Sequence, residues 1–100
     1  MVKRYTTVVQ INQFEARAKG RMTAAEIDAV TGLLATDPPC GDLIQGTGGI
    51  RKVRIAVKGK GKSGGVRVVY YYYNETLPIF LLTVFAKNEK DNLTKAERNT

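Results

Sequence analysis

The stretch that decides the fold is residues 50–86, which read IRKVRIAV, KGKGKSGG, VRVVYYYY, NETLP and IFLLTVFA in turn. The first, third and fifth blocks are rich in β-branched and aromatic residues and predict three strands. In the first block the side chains alternate, which sends the apolar ones to one face and Lys52 and Arg54 to the other. The second block is a glycine-rich loop, and the fourth is a short hairpin connection. Strands that follow one another through hairpins favour an antiparallel sheet.

The half of the chain before this stretch predicts one more strand and two helices. Residues 5–11 are β-branched and aromatic, as in a strand. Asn12 can cap a short helix that Gly20 ends. The capping-box pattern TAAE at residues 23–26 opens a second helix with one apolar stripe, and a proline pair stops it. The two helices form an αα-hairpin, and residues 38–49 read as a loop.

The predicted fold class is α+β. A four-stranded sheet, antiparallel or mixed, is backed by the N-terminal αα-hairpin in the order β-α-α-β-β-β. A further capping-box pattern at residues 94–97 predicts an optional short C-terminal helix. No linker or internal repeat divides the chain, so residues 1–100 are expected to form a single domain. Because the helical hairpin is the only apolar element left to cover the sheet, we expect the other face to be open, at least in part.

The net charge of +7 comes from one central segment. The chain has sixteen Lys and Arg against nine Asp and Glu, and no acidic residue lies between Asp42 and Glu75. The basic residues inside this window are Arg51, Lys52, Arg54, Lys58, Lys60, Lys62 and Arg67. Such a cluster is usually a solvated surface, but solvated surfaces normally mix the two signs. The segregation therefore favours a polyanionic partner.

The composition excludes several functional classes. The chain has no histidine, which excludes a histidine general base and an imidazole metal site. Its one cysteine, Cys40, allows no internal disulfide and no thiolate zinc cage, and reads as a passive loop residue. No apolar run approaches the roughly 18 residues of a membrane span, and the N-terminus lacks the apolar region of a signal peptide. These features predict a cytoplasmic protein that binds no membrane.

Two motifs in the central stretch can be interpreted either as ordinary structural features or as parts of a binding site. Residues 59–64 match G-x-G-x-x-G and contain Gly-Lys-Ser, but a strand follows where both nucleotide motifs need a helix. A lysine-bearing glycine loop that can lie against a nucleic-acid backbone is the better interpretation. The tyrosines at 70–73 alternate, so two are expected in the core, while Tyr71 and Tyr73 share the side of Arg67 and could stack on bases.

Three runs of the sequence resemble the RelE/HigB-type toxins of bacterial toxin–antitoxin modules, within the RelE/ParE superfamily and closest to its HigB-like branch. They are GDLIQGTGGIRKVRIA at 41–56, GKGKSGGVRVVYYY at 59–72 and LLTVFAKNEKDNLT at 81–94. The resemblance implies an antiparallel sheet backed by two helices. It also implies a ribosome-dependent mRNA endonuclease, an mRNA interferase that cleaves mRNA in the A site and inhibits translation.

The resemblance further implies the partners of the protein. These would be the ribosome with its mRNA and a cognate antitoxin, which in the HigB-like branch is often a helix-turn-helix DNA-binding protein. Operator DNA would be bound only through the antitoxin complex. No metal and no other cofactor is implied.

By the same resemblance, the ribose 2′-hydroxyl attacks the adjacent phosphate while fixed cations stabilise the developing charge. Arg67 matches the family's phosphate clamp, Lys52 and Arg54 match paired basic residues that act on the 2′-hydroxyl and the developing charge, and Lys87 matches a basic position that closes the last strand. The expected RNA contacts are Arg51, Lys58, Lys60, Lys62, Tyr71 and Tyr73. Some relatives carry an arginine at position 88 and a tyrosine near the C-terminus, but this chain has Asn88 and no such tyrosine. The general base is therefore left open between Lys52, Lys87 and Glu89.

A second class of function stays open at this point. ParE-type toxins share the implied fold and inhibit DNA gyrase by binding, without catalysis. The basic set at Lys52, Arg54, Arg67 and Lys87 argues against this alternative, because a binder does not need such a cluster on one face. A plain RNA-binding module is a third and weaker alternative.

Overall fold

The computed structural model describes residues 6–57 and 65–86 of the chain. Five strands form one sheet, with two α-helices between the first and second strands and a 3₁₀ turn at Pro38–Cys40. The elements are β1 Val8–Gln10, α1 Asn12–Ala18, α2 Ala24–Thr36, β2 Asp42–Leu43, β3 Ile50–Ile55, β4 Val66–Tyr71 and β5 Ile79–Ala86. The predicted α+β class is confirmed. The proposed helix at 94–97 lies outside the described residues.

The sheet has the strand order β1-β5-β4-β3-β2. The β2–β3, β3–β4 and β4–β5 pairs are antiparallel, whereas β1 lies parallel to β5, with Val8 opposite Ile79. The sheet is therefore mixed, which is one of the two arrangements, antiparallel or mixed, that the sequence predicted. The connection from β1 to β5 contains every other element, so sequence order alone could not show that these two strands are neighbours.

The prediction of four strands was wrong by one, because residues 42–43 form β2 inside the segment predicted as a loop. This two-residue strand pairs Asp42 with Lys52 and Leu43 with Arg51. The turn that returns the chain to β3 uses Gly46 and Gly48 at φ +81° and +75°, a backbone conformation that glycine adopts without strain. A strand of two residues shows no alternation of apolar and polar side chains in the sequence. It becomes a strand only by pairing with β3.

The helix signals were partly right. Thr23 Oγ1 accepts the Glu26 N–H at 3.1 Å, and Glu26 Oε1 accepts the Thr23 N–H at 2.8 Å, which confirms the capping box. The predicted cap at Asn12 was wrong, since Ile11 holds the cap position without a side-chain hydrogen bond. The Ile11 N–H instead donates to the Leu81 carbonyl at 3.2 Å. A backbone bond to β5 therefore fixes the start of α1.

The two helices cover one face of the sheet, which we call the first face. Its core joins helix side chains to sheet side chains: Phe14, Ala18, Val30, Leu34, Val66, Val68, Tyr70, Ile79, Leu81 and Val84. All of them are at most 2 % exposed. A register shift after Val69 leaves Leu82 without a partner in β4 and keeps both Tyr70 and Leu81 on this face.

The opposite side of the sheet, the second face, carries Asp42, Lys52, Arg54, Arg67, Val69, Tyr71, Thr83 and Phe85 by register. We expected this face to be open at least in part, and it is: Arg54 is exposed, whereas Val69, Thr83 and Phe85 are buried at its centre. The exposed and half-buried polar positions therefore lie on β2, β3 and β4, beside a buried patch on β4 and β5. No helix within the described residues is long and apolar enough to cross a membrane.

Candidate nucleic-acid interface

Three of the predicted site cations lie together on the second face. Arg54 of β3 is the direct cross-strand partner of Arg67 of β4, and Lys52 lies two positions before Arg54 on the same face. Arg54 is exposed, while Lys52 and Arg67 are half-buried. Like charges directly opposite each other destabilise a sheet pair, so the Arg54–Arg67 pair destabilises the ligand-free protein. An anion bound between the two guanidinium groups would relieve this repulsion.

Arg51 does not join this group, although it was expected to contact RNA. Its cross-strand partner is Tyr70, which puts it on the first face. Its Nη1 donates to the Gly41 carbonyl at 2.8 Å and to the Pro39 carbonyl at 3.2 Å. The guanidinium thus holds the chain just ahead of β2 by satisfying backbone carbonyls that would otherwise lack partners.

Tyr70 completes this anchor from the neighbouring strand. Its buried hydroxyl accepts the Gly41 N–H at 2.9 Å and donates to the Pro38 carbonyl at 2.7 Å. Burial raises the pKa of Tyr70 to about 12, so the hydroxyl keeps its proton at neutral pH. A Cβ at Gly41 would lie 2.8 Å from Tyr70 Oη and 2.9 Å from the Lys52 carbonyl oxygen, so this position has room only for glycine. We call Tyr70, Arg51 and the backbone they hold at residues 38–41 the β2 anchor.

Cys40 lies within the β2 anchor and is half-buried. Burial raises the pKa of the Cys40 thiol, and this outweighs a hydrogen bond with Tyr70 that lowers it. A raised pKa leaves little thiolate at neutral pH, and the thiolate is the nucleophilic form. This environment agrees with the passive role predicted from the sequence.

The tyrosines divide as the alternation predicted, but they do not gather around Arg67. Tyr70 is buried and Tyr72 packs against the core of the first face, whereas Tyr71 is half-buried on the second face and Tyr73 is 61 % exposed. At about 3.3 Å per strand residue, Tyr71 lies about 13 Å and Tyr73 about 20 Å along the chain from Arg67. Tyr73 also lies beyond the end of β4. Neither ring shares one phosphate site with Arg67.

The remaining predicted site residues lie outside the described residues. They are Lys58, Lys60, Lys62, Lys87 and the candidate base Glu89. The described strand ends next to them are adjacent, because Ile55 pairs with Val66 and Val66 pairs with Ala86. These strand ends lie at the same end of the sheet as Arg54 and Arg67.

Sequence reasoning missed one charged residue of the second face. Asp42 is the direct cross-strand partner of Lys52, and its side chain is exposed. The loop predicted for residues 38–49 assigns no face to this side chain. The available signal was the apolar Leu-Ile pair after Asp42, mirrored across a glycine-rich turn by the start of β3.

Together these groups can bind an anionic ligand and stabilise negative charge that develops on it. The guanidinium groups of Arg54 and Arg67 supply two positive charges and several N–H donors on this face. Within residues 6–57 and 65–86 no cluster of three or more His, Cys, Asp or Glu side chains has the arrangement of a metal site.

Comparison with known proteins agrees with this architecture. The family model described as the RelE toxin of the RelE/RelB toxin–antitoxin system matches residues 41–100, which is more than half of the chain. Among solved structures, a mutant of the E. coli toxin RelE in the free state matches with a TM-score of 0.67 over 95 % of this chain and 95 % of that chain. At 14 % sequence identity this second match shows a shared fold. The family match, which begins at the β2 anchor and includes all three clustered cations, shows that the chain belongs to the RelE toxin family of toxin–antitoxin systems.

Proposed function

We propose that this toxin is a ribosome-dependent mRNA endonuclease that cleaves mRNA in the ribosomal A site and thereby inhibits translation. The activity is that of an mRNA interferase and needs no metal. The observation that carries the proposal is the placement of Lys52, Arg54 and Arg67 on one face of two adjacent strands, with the two arginines directly opposite each other.

The arrangement suits cleavage in which the RNA supplies its own nucleophile. The ribose 2′-hydroxyl attacks the adjacent phosphorus, and the products are a 2′,3′-cyclic phosphate and a 5′-hydroxyl. The phosphorane between them carries more negative charge than the ground state. Arg54 and Arg67 would hold its non-bridging oxygens, and charge stabilisation by preorganised donors is usually the largest catalytic contribution.

The proposal includes the partners of the toxin. A cognate antitoxin, of the helix-turn-helix DNA-binding type, would block the second face or keep the toxin from the ribosome. Operator DNA would be contacted only through that complex. The ribosome and its mRNA, the substrate, would place the toxin in the cytoplasm. The basic residues at 58–62 and Lys87 would add contacts to the RNA backbone.

The decisive experiment is the Arg67→Ala variant, expressed in cells that lack the antitoxin. We expect wild-type toxin to arrest growth and to produce mRNA cuts within translated frames, mapped by primer extension. Arg67→Ala should abolish both, because a fixed charge at the phosphate typically contributes about 100-fold or more to the rate. Lys19→Ala, which removes an exposed cation next to α1, is the matched control and should behave as wild type.

The same experiment separates the proposal from gyrase inhibition. Intact mRNA with DNA damage after wild-type induction would overturn the endonuclease and support a ParE-like binder. Full growth arrest and unchanged cleavage by Arg67→Ala would overturn the assignment of this site.

A further inference from the structure

We infer that Asp42 and Lys52 form a cross-strand acid–base pair, in which the Asp42 carboxylate takes the proton of the attacking 2′-hydroxyl and the Lys52 ammonium protonates the leaving 5′-oxygen. This inference rests on the proposed endonuclease function. It assigns the general base to a residue that the sequence did not single out.

The first support is the register of β2 on β3. Asp42 and Lys52 are direct partners in an antiparallel pair, so their Cβ atoms lie about 4.5–5.5 Å apart and on the same face. The Ile44 N–H donates to the Ile50 carbonyl at 2.8 Å and extends the same ladder beyond the strand. The two side chains therefore start from neighbouring points on the face that carries Arg54 and Arg67.

The second support is the rigidity of the backbone that carries Asp42. The residue before it, Gly41, is held through its N–H by Tyr70 and through its carbonyl by Arg51. Its Cα packs so closely against Tyr70 and the Lys52 backbone that no side chain fits. The backbone from which the Asp42 side chain extends is therefore fixed, which is one part of the preorganisation that catalysis requires of a general base.

The third support is an inventory of the proton acceptors. From the described residues the second face presents Asp42 on β2, Lys52 and Arg54 on β3, and Arg67 and Tyr71 on β4, whereas Thr83 of β5 is buried. Arginine, protonated lysine and neutral tyrosine or threonine hydroxyls are poor proton acceptors at neutral pH. Asp42 is thus the one carboxylate that the described part of this face offers.

The proton and bond changes balance without another reactant. The O2′–P bond forms as the 2′-hydroxyl proton moves to Asp42. The P–O5′ bond breaks as O5′ takes a proton from Lys52, and the two arginines stay protonated throughout. The proton then passes from the Asp42 carboxylic acid to the Lys52 amine, which restores the carboxylate and the ammonium for the next turnover.

The test measures single-turnover cleavage on ribosomes programmed with mRNA. Asp42→Asn keeps the size of the side chain and removes the base, so we expect a loss of about 100-fold or more. Asp42→Glu should recover much of the rate. Asp28→Asn removes an exposed carboxylate of α2 and is the matched control. Melting temperature and ribosome affinity should be unchanged in Asp42→Asn, since a purely structural role would change one of them.

A second substrate assigns the two roles separately. In this substrate a sulfur atom replaces the bridging 5′-oxygen, and sulfur leaves without being protonated. The substrate should therefore restore cleavage by Lys52→Ala but not by Asp42→Asn. If the wild type cleaves mRNA and Asp42→Asn keeps full activity, the inference is overturned and the proposed function stays intact. Rescue of Asp42→Asn by the sulfur substrate would have the same consequence. Failure to rescue Lys52→Ala would overturn the role of Lys52. Absence of cleavage by the wild type would instead overturn the proposed function.

Discussion

Arg51 and Lys52 are neighbours in the chain, yet they belong to regions of opposite character. On the first face, Arg51 donates through its Nη1 to two backbone carbonyls and is the cross-strand partner of the buried Tyr70. On the second face, Lys52 lies near an arginine pair whose members oppose each other across two strands. Alternation thus divides a run of basic residues in one strand into a cation that holds the fold and cations that we propose bind the ligand.

The largest expected effect tests whether this division is real. Arg54→Met should lower the cleavage rate by about 100-fold, because it removes a charge placed for the phosphorane. It should also raise the unfolding free energy by about 0.2–1 kcal/mol, since it relieves the juxtaposition of like charges. Single-turnover cleavage and chemical denaturation measure the two quantities.

Arg51→Met is the matched variant from the first face and should show the reverse. Losing two hydrogen bonds from a charged donor should cost about 1.5–3 kcal/mol of unfolding free energy. The cleavage rate per folded molecule should stay within a few-fold of wild type. Equal losses of rate in both variants would contradict the division of the two faces.

The next effect concerns the β2 anchor and its response to pH. Tyr70→Phe leaves the Gly41 N–H and the Pro38 carbonyl without their buried partner, which should cost about 1–3 kcal/mol at pH 7. Because folding raises the pKa of Tyr70 from 10.0 to about 12, its stabilisation is complete below pH 10 and is lost as the pH rises through 12. Denaturation at a series of pH values should therefore show the unfolding free energy of the wild type falling towards that of Tyr70→Phe between pH 10 and pH 12.

Tyr73→Phe is the control for this measurement, because Tyr73 is 61 % exposed and lies outside the anchor. Its stability should follow that of the wild type at every pH. A wild type that keeps its full advantage over Tyr70→Phe above pH 12 would contradict the anchoring role of the protonated hydroxyl.

The sequence predicted the parts of this molecule that carry their own signal. Strand β5 runs over residues 79–86 as expected, and the capping box opens α2 where Thr23 indicated. Alternation of side chains in β3 predicts Lys52 and Arg54 on one face. The same alternation puts Arg51 on the opposite face, where the structure has it. The parallel pairing of β1 was not predictable, because both strands are apolar and nothing local identifies their partner.

The missed features share one physical cause. Strand β2 has two residues, which show no period, and it is held by the nearby β3, by Arg51 and by Tyr70, which is distant in sequence. Asp42 therefore acquires a face only when β2 pairs. Candidate site residues on regular strands could be predicted from alternation, whereas Asp42 could be placed only by recognising the short β2–β3 hairpin.

The smallest expected effect is also the most direct measure of which cations meet RNA. Each phosphate contact releases about one counterion, so the slope of log affinity against log salt counts the contacts. Ribosome binding by Arg54→Met should have a slope shallower by about one than that of the wild type, whereas Arg51→Met should keep the wild-type slope. Sedimentation binding at several salt concentrations measures both. A shallower slope for Arg51→Met would mean that its guanidinium leaves the Gly41 and Pro39 carbonyls when RNA binds, and the first face would then belong to the interface as well.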